Sequence, residues 1–379
     1  MLWFLIIKIR STLRRIGTGD NAILLWFIAI IFMDTILYGL LFYNWEYGTN
    51  PNVNSPLDFI WYSFITMTTI GYGDIYPITS LGRIVTIPFT LISLTCFGGV
   101  ISILGAKLMV RHERRMKGLT KLNVDGHVIL VDCSEDARKK EIIARIIESL
   151  RQDWETESWP IVIVAQGYEQ LPDPLPDFSN VYFCQGSVTT ELPYNRANIS
   201  AAKVAIILSR SSQDAQVDDA ISLAALQVIK YLNPRIEARA ECANLEHEPL
   251  FKAAGCEAVI NMRALESHIM AKSVVDPDTA PVILQMLNPG VGNTLHTIRQ
   301  TNLEGVTFGS IETALEEDKE KIMTIGISKY SQKQQLLNPD DETLIEMKDR
   351  LIVLAKKRPK WKGKEGMEHH ILEKLQEEE

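Results

Sequence analysis

The chain has 379 residues, of which 46% are apolar and 23% are charged, and its formal net charge at pH 7 is −8. Residues 1–121 carry 11 Lys and Arg against 6 Asp and Glu, whereas the remaining residues carry 28 against 41. The acidic second part argues against nucleic acid as a partner. Five scattered cysteines without a Cys-x-x-Cys spacing argue against a zinc site or a disulfide framework.

Residues 1–20 begin the chain with an apolar run that is interleaved with Lys8, Arg10, Arg14 and Arg15. A signal peptide would instead place its charges before the apolar run. We therefore expect an interfacial helix on the inner leaflet of a lipid bilayer, with a short disordered basic arm as the alternative.

Two longer apolar segments, at about 21–43 and 84–109, can each cross the hydrocarbon core of a bilayer as a helix. Asp34 lies within the first, where a carboxylate is costly, so it should face protein or be protonated. We expect a structural contact with the neighbouring helix, with a functional role as the alternative. Basic residues flank both segments on the same side of the predicted membrane. The positive-inside bias therefore predicts a multi-pass protein of the cell (inner) membrane, with both termini and the acidic part in the cytoplasm. The predicted pore domain is 21–110 and the linker is 111–125.

Between the two segments, a short aromatic-rich helix over 56–67 precedes the stretch Thr68-Thr69-Ile70-Gly71-Tyr72-Gly73-Asp74. A filter that strips water from K⁺ needs stacked backbone carbonyls, and glycines allow the backbone to turn its oxygens inward. The alternative is an ordinary turn rich in Gly and Asp. We predict a selectivity filter formed by Thr69, Ile70, Gly71, Tyr72 and Gly73. The pair of helix and stretch resembles the potassium-channel pore loop, and this resemblance implies that Trp61, Tyr62, Thr68 and Asp74 support the filter.

Gly98 and Gly99 lie in the second membrane segment and are the candidate gate hinge. Paired glycines either allow a helix to bend or allow two helices to pack closely, and the sequence leaves both readings open. In two-helix potassium channels, which this chain resembles, a hinge glycine commonly sits where this chain has Ser93 and Thr95.

From Gly126 onward, short apolar runs alternate with helical patterns, which predicts βαβ units and a doubly wound, mainly parallel sheet. Six runs predict buried strands: 127–133, 161–165, 181–184, 204–208, 236–240 and 258–260. The predicted fold class is a membrane α-helical pore followed by an α/β Rossmann-like domain and a small α+β subdomain. The Rossmann-like lobe with its crossover helix covers 126–274, the α+β subdomain covers 275–358, and a charged, solvated tail covers 359–379.

The position of this sheet directly after a potassium pore resembles an RCK domain, the cytoplasmic regulator of potassium conductance. The whole chain is similar to prokaryotic two-transmembrane potassium channels with a C-terminal RCK domain, of the MthK type. The resemblance implies a homotetramer at least, and additional soluble RCK copies if the ring has eight domains. It also implies a closing hairpin within 338–354.

The regulatory ligand is predicted from the carboxyl edge of the sheet, where ligands of parallel sheets collect. Calcium prefers several carboxylate and carbonyl oxygens. Asp218, Asp219 and Glu241 follow the fourth strand or end the fifth, and they resemble the calcium site of calcium-activated RCK channels. The alternative is that these acids cap a helix and solvate a face, and Arg239 stands where an acid is expected. NAD or another nucleotide is disfavoured because the first strand ends without glycine and the second without an acid.

The sequence therefore predicts a ligand-gated potassium channel, with K⁺ in the filter and Ca²⁺ or another divalent cation as the regulatory ligand. An NAD- or nucleotide-regulated channel is the main alternative. A membrane-anchored dinucleotide-binding redox protein and a non-selective cation channel are the others. No enzyme is predicted, because the histidines are scattered and no nucleophile motif is present.

Overall fold

The computed structural model describes residues 20–134, 139–210, 212, 214–288, 290, 292–299, 302–316, 322–331, 334–361 and 366–377. It divides the chain into two compact units, Met1–Arg114 and Arg115–Glu379. The interfacial segment predicted for residues 1–20 lies outside the described residues except for its last position.

Three helices make up the first unit: α1, Asp20–Glu46; α2, Pro56–Met67; and α3, Ser80–Met116. The helices Asn21–Glu46 and Ser80–Met116 are long and apolar enough to cross a membrane, as predicted. Helix α3 runs further than expected and includes the first part of the predicted linker 111–125. No glycine or proline interrupts residues 106–117, and the chain turns at Gly118, whose φ of +62° suits a residue that follows a helix.

Helix α2 begins where the sequence predicts because polar groups cap its first turn. The Asp58 carboxylate accepts hydrogen bonds from the backbone N–H groups of Asn54 (2.7 Å) and Ser55 (2.8 Å). Pro56 occupies the first turn, where it has no N–H group that would need an acceptor. Aromatic rings then attach α2 to α1, where Tyr62 stacks on Phe42 with centroids 5.2 Å apart. The short helix is thus fixed at its start and along one side.

The second unit opens with a six-stranded parallel sheet in the order β3-β2-β1-β4-β5-β6. Its strands are β1, Val128–Asp132; β2, Ile161–Ala165; β3, Val181–Gln185; β4, Val204–Leu208; β5, Glu237–Glu241; and β6, Ala258–Ile260. Every residue of β1 and β2 is buried, which is why these strands read as continuous apolar runs rather than as alternating patterns. The predicted parallel sheet is confirmed, and its strand order reverses between β1 and β4.

Helices connect the strands of this sheet and lead out of it. They are α4, Lys140–Gln152; α5, Glu191–Arg196; α6, Ala215–Leu232; α7, Glu248–Ala253; α8, Met262–Val275; and α9, Thr279–Leu287. Helix α6 begins at an Asx cap, because the Asp214 carboxylate accepts from the N–H groups of Gln216 (3.0 Å) and Val217 (3.3 Å). Helix α8 is the predicted crossover helix.

The rest of the chain forms a smaller lobe around an antiparallel sheet in the order β7-β10-β8-β9. Its elements are β7, Thr294–Arg299; α10, Phe308–Glu316; β8, Met323–Lys329; β9, Gln334–Leu337; β10, Arg350–Ala355; and α11, Met367–Glu377. The predicted closing hairpin within 338–354 is wrong, because β10 pairs with β7 and β8 instead. The buried Lys329 ammonium lies 3.0 Å from Asp349, and Asp349 also accepts from the N–H of Tyr330, which holds residues before β10 as a loop.

The predicted solvated tail over 359–379 is also wrong for the residues described there. Trp361, Met367 and Ile371 are buried in the core of the smaller lobe, and α11 packs against α10. Met367 and Ile371 are four residues apart and share one helix face. The high content of charged residues in the segment conceals this short apolar pattern. The α+β lobe therefore extends at least to residue 377.

Two buried histidines make the stability of the second unit depend on pH. Burial lowers the pKa of His127, and burial together with the Arg358 charge lowers the pKa of His296. The unfolded chain therefore binds protons before the folded chain does as pH falls. The stabilisation is complete above the unfolded pKa, about 6.5, and is lost as pH falls toward the folded pKa values.

We expect the melting temperature of the full chain to fall between pH 7 and pH 5, and His127→Leu to flatten this dependence. The change in slope should be at most about 1.4 kcal/mol per pH unit, the value for one proton. Differential scanning calorimetry at several pH values measures it, with the exposed His268→Gln as the control. An unchanged slope in His127→Leu would contradict the assignment.

Candidate selectivity filter and ligand crevice

The stretch between α2 and α3 has an alternating backbone. Among its seven residues, all of them described, positive φ falls on Thr69 (62°), Gly71 (55°) and Gly73 (73°). A uniformly extended strand points its carbonyls to alternate sides, so left-handed residues at every second position turn successive carbonyls toward one side. Threonine adopts this conformation only at a cost of roughly 1–2 kcal/mol. The arrangement provides a row of backbone oxygens of the kind that can replace the water of a cation.

The inner end of this row is fixed to the end of helix α2. The N–H groups of Ile70 and Gly71 both donate to the carbonyl of Ile65, at 2.9 and 3.3 Å, and Thr69 donates to Thr66 at 3.0 Å. The last carbonyls of a helix carry the negative end of its dipole. Helix α2 thus ends at the start of the filter stretch, where a cation would be stabilised.

The outer end is held by Asp74. The Trp61 indole donates to Asp74 Oδ2 at 2.7 Å, and the Trp61 ring stacks on Tyr72 with centroids 5.9 Å apart. Asn52 adds a third support that the sequence did not indicate, because its amide donates to the Asp74 carbonyl at 2.9 Å. The structure therefore brings Trp61, Tyr72 and Asp74 together.

The other two predicted support residues have different contacts. The Thr68 hydroxyl donates to the carbonyl of Phe64 at 2.8 Å, within the end of α2. Tyr62 is buried against Phe42 of α1, so it attaches α2 to α1. Both act on the placement of α2.

Glu46, the last residue of α1, is a buried carboxylate that sequence reasoning missed. It accepts from the N–H groups of Ile78 and Thr79, both at 3.0 Å, from the Thr79 hydroxyl at 2.6 Å and from the Asn50 amide at 2.9 Å. An added Cβ at Gly82 would overlap its Oε1. Glu46 thus joins the end of α1, the loop before α2 and the start of α3. The signal in the sequence was an acidic residue at the end of a long apolar segment, which could have indicated a carboxylate with buried partners.

The two candidate hinge glycines differ in their surroundings. An added Cβ at Gly99 would collide with the ring of Phe27 on α1, whereas one at Gly98 would meet nothing within 4 Å. Gly99 therefore serves close packing between the helices in this arrangement. Only Gly98 has the open surroundings that a bending point requires.

At the carboxyl edge of the parallel sheet, the three predicted calcium ligands each have protein partners. Asp218 accepts from the N–H and the hydroxyl of Ser212, at 2.6 and 2.7 Å. Asp219 is fully buried and accepts from the N–H groups of Ala243 (2.7 Å) and Asn244 (2.9 Å), with His247 Nδ1 2.8 Å away. Both carboxylates hold the loops that follow β4 and β5.

Glu241 forms an ion pair with a buried lysine. Its carboxylate is 2.5 Å from the buried Lys139 ammonium and accepts from the N–H of Ser209 at 2.9 Å. Within the described part of the chain, no three His, Cys, Asp or Glu side chains are placed to hold a metal. In this arrangement the three carboxylates therefore do not fit a calcium ion, and their role as ligands stays a prediction.

Buried thiols directly follow β1 and β5, at Cys133 and Cys242. Burial raises the pKa of Cys133 to about 12 and that of Cys242 to about 12. A thiol with such a pKa is not a thiolate at neutral pH and is a poor nucleophile. Neither Cys133 nor Cys242 is therefore placed to act as a nucleophilic thiolate. Residues 135–138, where a nucleotide-binding turn would lie, fall outside the described residues.

Three family models match successive parts of the chain. An ion channel model matches residues 23–110, and a calcium-activated potassium channel slowpoke-like RCK domain model matches residues 123–239. A model described as Castor and Pollux, part of voltage-gated ion channel, matches residues 264–371. The first match covers the filter and both apolar helices, and the second covers most of the parallel sheet.

Curated relatives are similar over different shares of the chain. The calcium-gated potassium channel TvoK of Thermoplasma volcanium is 26% identical over 337 residues, which are 88% of this chain and 90% of TvoK. The human potassium voltage-gated channel subfamily KQT member 4 is 37% identical over 98 residues, which are 25% of this chain and 14% of that channel. Among solved structures, the GsuK channel bound to NAD has a TM-score of 0.43 and 16% identity, covering 89% of this chain and 57% of GsuK.

Proposed function

Because the chain belongs to the prokaryotic potassium channels that join a two-helix pore to an RCK domain, we propose that it conducts K⁺ through a pore gated by a ligand on its RCK lobe. The observation that carries the proposal is the alternation of left-handed residues at Thr69, Gly71 and Gly73. Its carbonyl row can coordinate a dehydrated cation without any charged side chain. K⁺ is the permeating ion.

Rubidium uptake into vesicles tests this function. We expect purified chain in liposomes to take up rubidium against trapped potassium, and excess sodium to leave uptake unaffected. Vesicles that take up no rubidium with or without ligand would contradict the proposal. Equal competition by sodium and potassium would instead identify a non-selective cation channel.

We further propose that four copies surround one filter. In the single chain, the side chains of Ile70 and Tyr72 are 51% and 66% exposed, although both belong to the stretch that has to be rigid. Neighbouring copies would cover them and would complete the ring of carbonyls. The RCK lobes and both termini would then lie in the cytoplasm. There the four lobes would assemble with one another, or with additional soluble RCK copies. Native mass spectrometry of the detergent-solubilised protein counts the copies of each.

For the gating ligand we propose calcium, with NAD or a nucleotide as the alternative. The proposal is supported by the similarity to TvoK, which is named as calcium-gated, and by the acidic balance of the second unit. Asp218, Asp219 and Glu241 are the proposed ligands. They could bind the ion only in an arrangement in which Glu241 is released from Lys139 and the loop donors are displaced.

Neutralising these acids one at a time is expected to separate binding from structure. Glu241→Gln should shift the calcium dependence of open probability at least about tenfold, the effect of losing one charged interaction of about 1.4 kcal/mol. Asp219→Asn should in addition lower the melting temperature, because Asp219 holds two backbone N–H groups and His247. Single-channel recording over a calcium titration measures the first effect, and calorimetry measures the second.

The exposed Glu246, near the same edge of the sheet, provides the matched control as Glu246→Gln. It should change neither quantity. Calcium sensitivity that survives in Asp218→Asn, Asp219→Asn and Glu241→Gln would remove the assignment of these residues. In that case a parallel titration with NAD tests the alternative ligand.

A further inference from the structure

Asp34, in the middle of the apolar helix α1, has a polar partner on the neighbouring helix α3. Asp34 of α1 accepts a hydrogen bond from the Ser93 hydroxyl of α3 at 2.8 Å, and Ser93 is fully buried. The expected contact of Asp34 with the neighbouring helix is therefore present. An ionisable residue inside a membrane segment is costly, and this cost points to a function for the contact.

The hydroxyl of Ser93 donates to a different kind of partner from the three threonine hydroxyls nearest to it on the same helix. The hydroxyls of Thr86, Thr90 and Thr95 each donate to the carbonyl four residues earlier, all at 2.7 Å. This local bond is the usual way for a hydroxyl in a helix to be satisfied. Ser93 instead directs its hydroxyl to the other helix. The direction of the Ser93 hydroxyl is therefore explained by its bond to Asp34 and not by hydrogen bonding within α3.

The Asp34–Ser93 bond is one of several contacts that join α3 to its own α1. Tyr38 Oη lies 2.9 Å from Thr86 Oγ1 on one side of it, and its ring stacks on Phe89 at 3.9 Å. On the other side, Phe27 packs on Gly99. The contacts before Ser93 include hydrogen bonds, which fix a direction, whereas the contact at Gly99 is apolar. Beyond Gly99, Lys107 Nζ donates to Asn21 Oδ1 at an exposed site, where water can replace either partner.

Helix α3 is also the covalent connection between the filter and the RCK unit, which begins at Arg115. A signal that reaches the pore through the chain has to pass along it. We propose that Asp34 and Ser93 form a latch, which fixes residues 80–93 of α3 to α1. The gating movement is then confined to the part of α3 that follows Ser93. Gly98, with open surroundings, is then the pivot, and Asp34 is a positioning residue for gating. This inference rests on the proposed channel function.

A double-mutant cycle on the open-to-closed ratio tests the latch. Wild type, Asp34→Leu, Ser93→Ala and the double variant are recorded as single channels in a calcium chelator and in millimolar calcium. Each single variant should shift the ratio in the same direction by about 3- to 20-fold, the range that hydrogen bonds between membrane helices provide. The double variant should shift it no further than the larger single one, because both changes remove the same bond.

Two further variants separate a latch from a general effect on the helices. Thr95→Ala removes a hydroxyl that bonds only its own helix and should leave the ratio within about twofold of wild type. Asp34→Asn keeps an oxygen that can accept from Ser93, so it should retain most of the wild-type ratio. Ser93→Ala compared with Asp34→Asn gives the answer even if Asp34→Leu does not assemble.

The inference is overturned if Ser93→Ala and Asp34→Leu leave the ratio unchanged while lowering the melting temperature, since the bond would then be only structural. Shifts that multiply in the double variant would also overturn it. A wild-type protein that passes no rubidium would instead count against the channel function. The two failures are therefore distinguishable.

Discussion

Gly71→Ala is expected to abolish rubidium flux through the reconstituted protein, by at least about a hundredfold. An alanine Cβ at Gly71 meets nothing within 4 Å, so the change acts through the backbone and not through a clash inside one chain. The left-handed conformation at this position costs an alanine roughly 1–2 kcal/mol, and four copies around one filter would multiply the cost. Relief of that strain turns the carbonyl away from the ion.

Gly48→Ala is the matched control for this change. Gly48 also has a positive φ, +80°, and open space around its Cβ position, but it lies in the loop before α2. It carries the same local strain without a carbonyl in the ion path. Flux should stay near the wild-type value in Gly48→Ala. Equal losses in the two variants, measured by rubidium uptake at matched amounts of reconstituted protein, would show that the filter geometry is not the cause.

Glu46→Ala is expected to have the largest effect on the stability of the pore unit, about 3–5 kcal/mol for each copy. The substitution removes the acceptor of two backbone N–H groups, the Thr79 hydroxyl and the Asn50 amide. A fully buried group without a partner costs about 1–3 kcal/mol, and three of these four hydrogen bonds are only partly buried, so each group should contribute about 1 kcal/mol. Because the same carboxylate joins three segments around the filter, the oligomer should dissociate at lower temperature. Thermal melting followed by size-exclusion chromatography measures this loss.

Two variants give the Glu46 prediction its controls. Glu46→Gln keeps one acceptor oxygen and should fall between wild type and Glu46→Ala. The exposed Thr49→Ala, three residues along the chain, should melt like wild type. A Glu46→Ala oligomer that melts at the same temperature as the wild type would contradict this role. The N–H groups of Ile78 and Thr79 would then bond to water or other acceptors, and Glu46 would not hold α1, the loop before α2 and α3 together.

The features that could be predicted from the sequence are those that local residues determine. The start of α2 follows from Asp58 and Pro56 at its first turn. The strands β1 and β2 are buried on both faces, and their apolar runs therefore stand out from the helical patterns around them. The alternating backbone of the filter stretch follows from Gly71 and Gly73, which favour the left-handed region.

The features that the sequence concealed depend on contacts between distant residues. The partners of Glu46 at Ile78 and Thr79 are 32 and 33 residues away, and no local pattern connects them. Likewise, the sheet places Glu241 at the predicted edge, but Lys139, 102 residues earlier, supplies the ammonium that pairs with it. The segment after residue 359 was misjudged because two apolar residues on one helix face decide its packing.

The reversal potential of single channels between unequal potassium and sodium solutions tests most directly whether the filter stretch selects K⁺. If dehydrated K⁺ passes along the carbonyls of Thr69 to Gly73, the current should reverse near the potassium equilibrium potential. When sodium replaces part of the potassium on one side, the reversal potential should move with the new potassium equilibrium potential. A reversal near zero, or no unitary current at any calcium concentration, would contradict a potassium-selective filter at these residues.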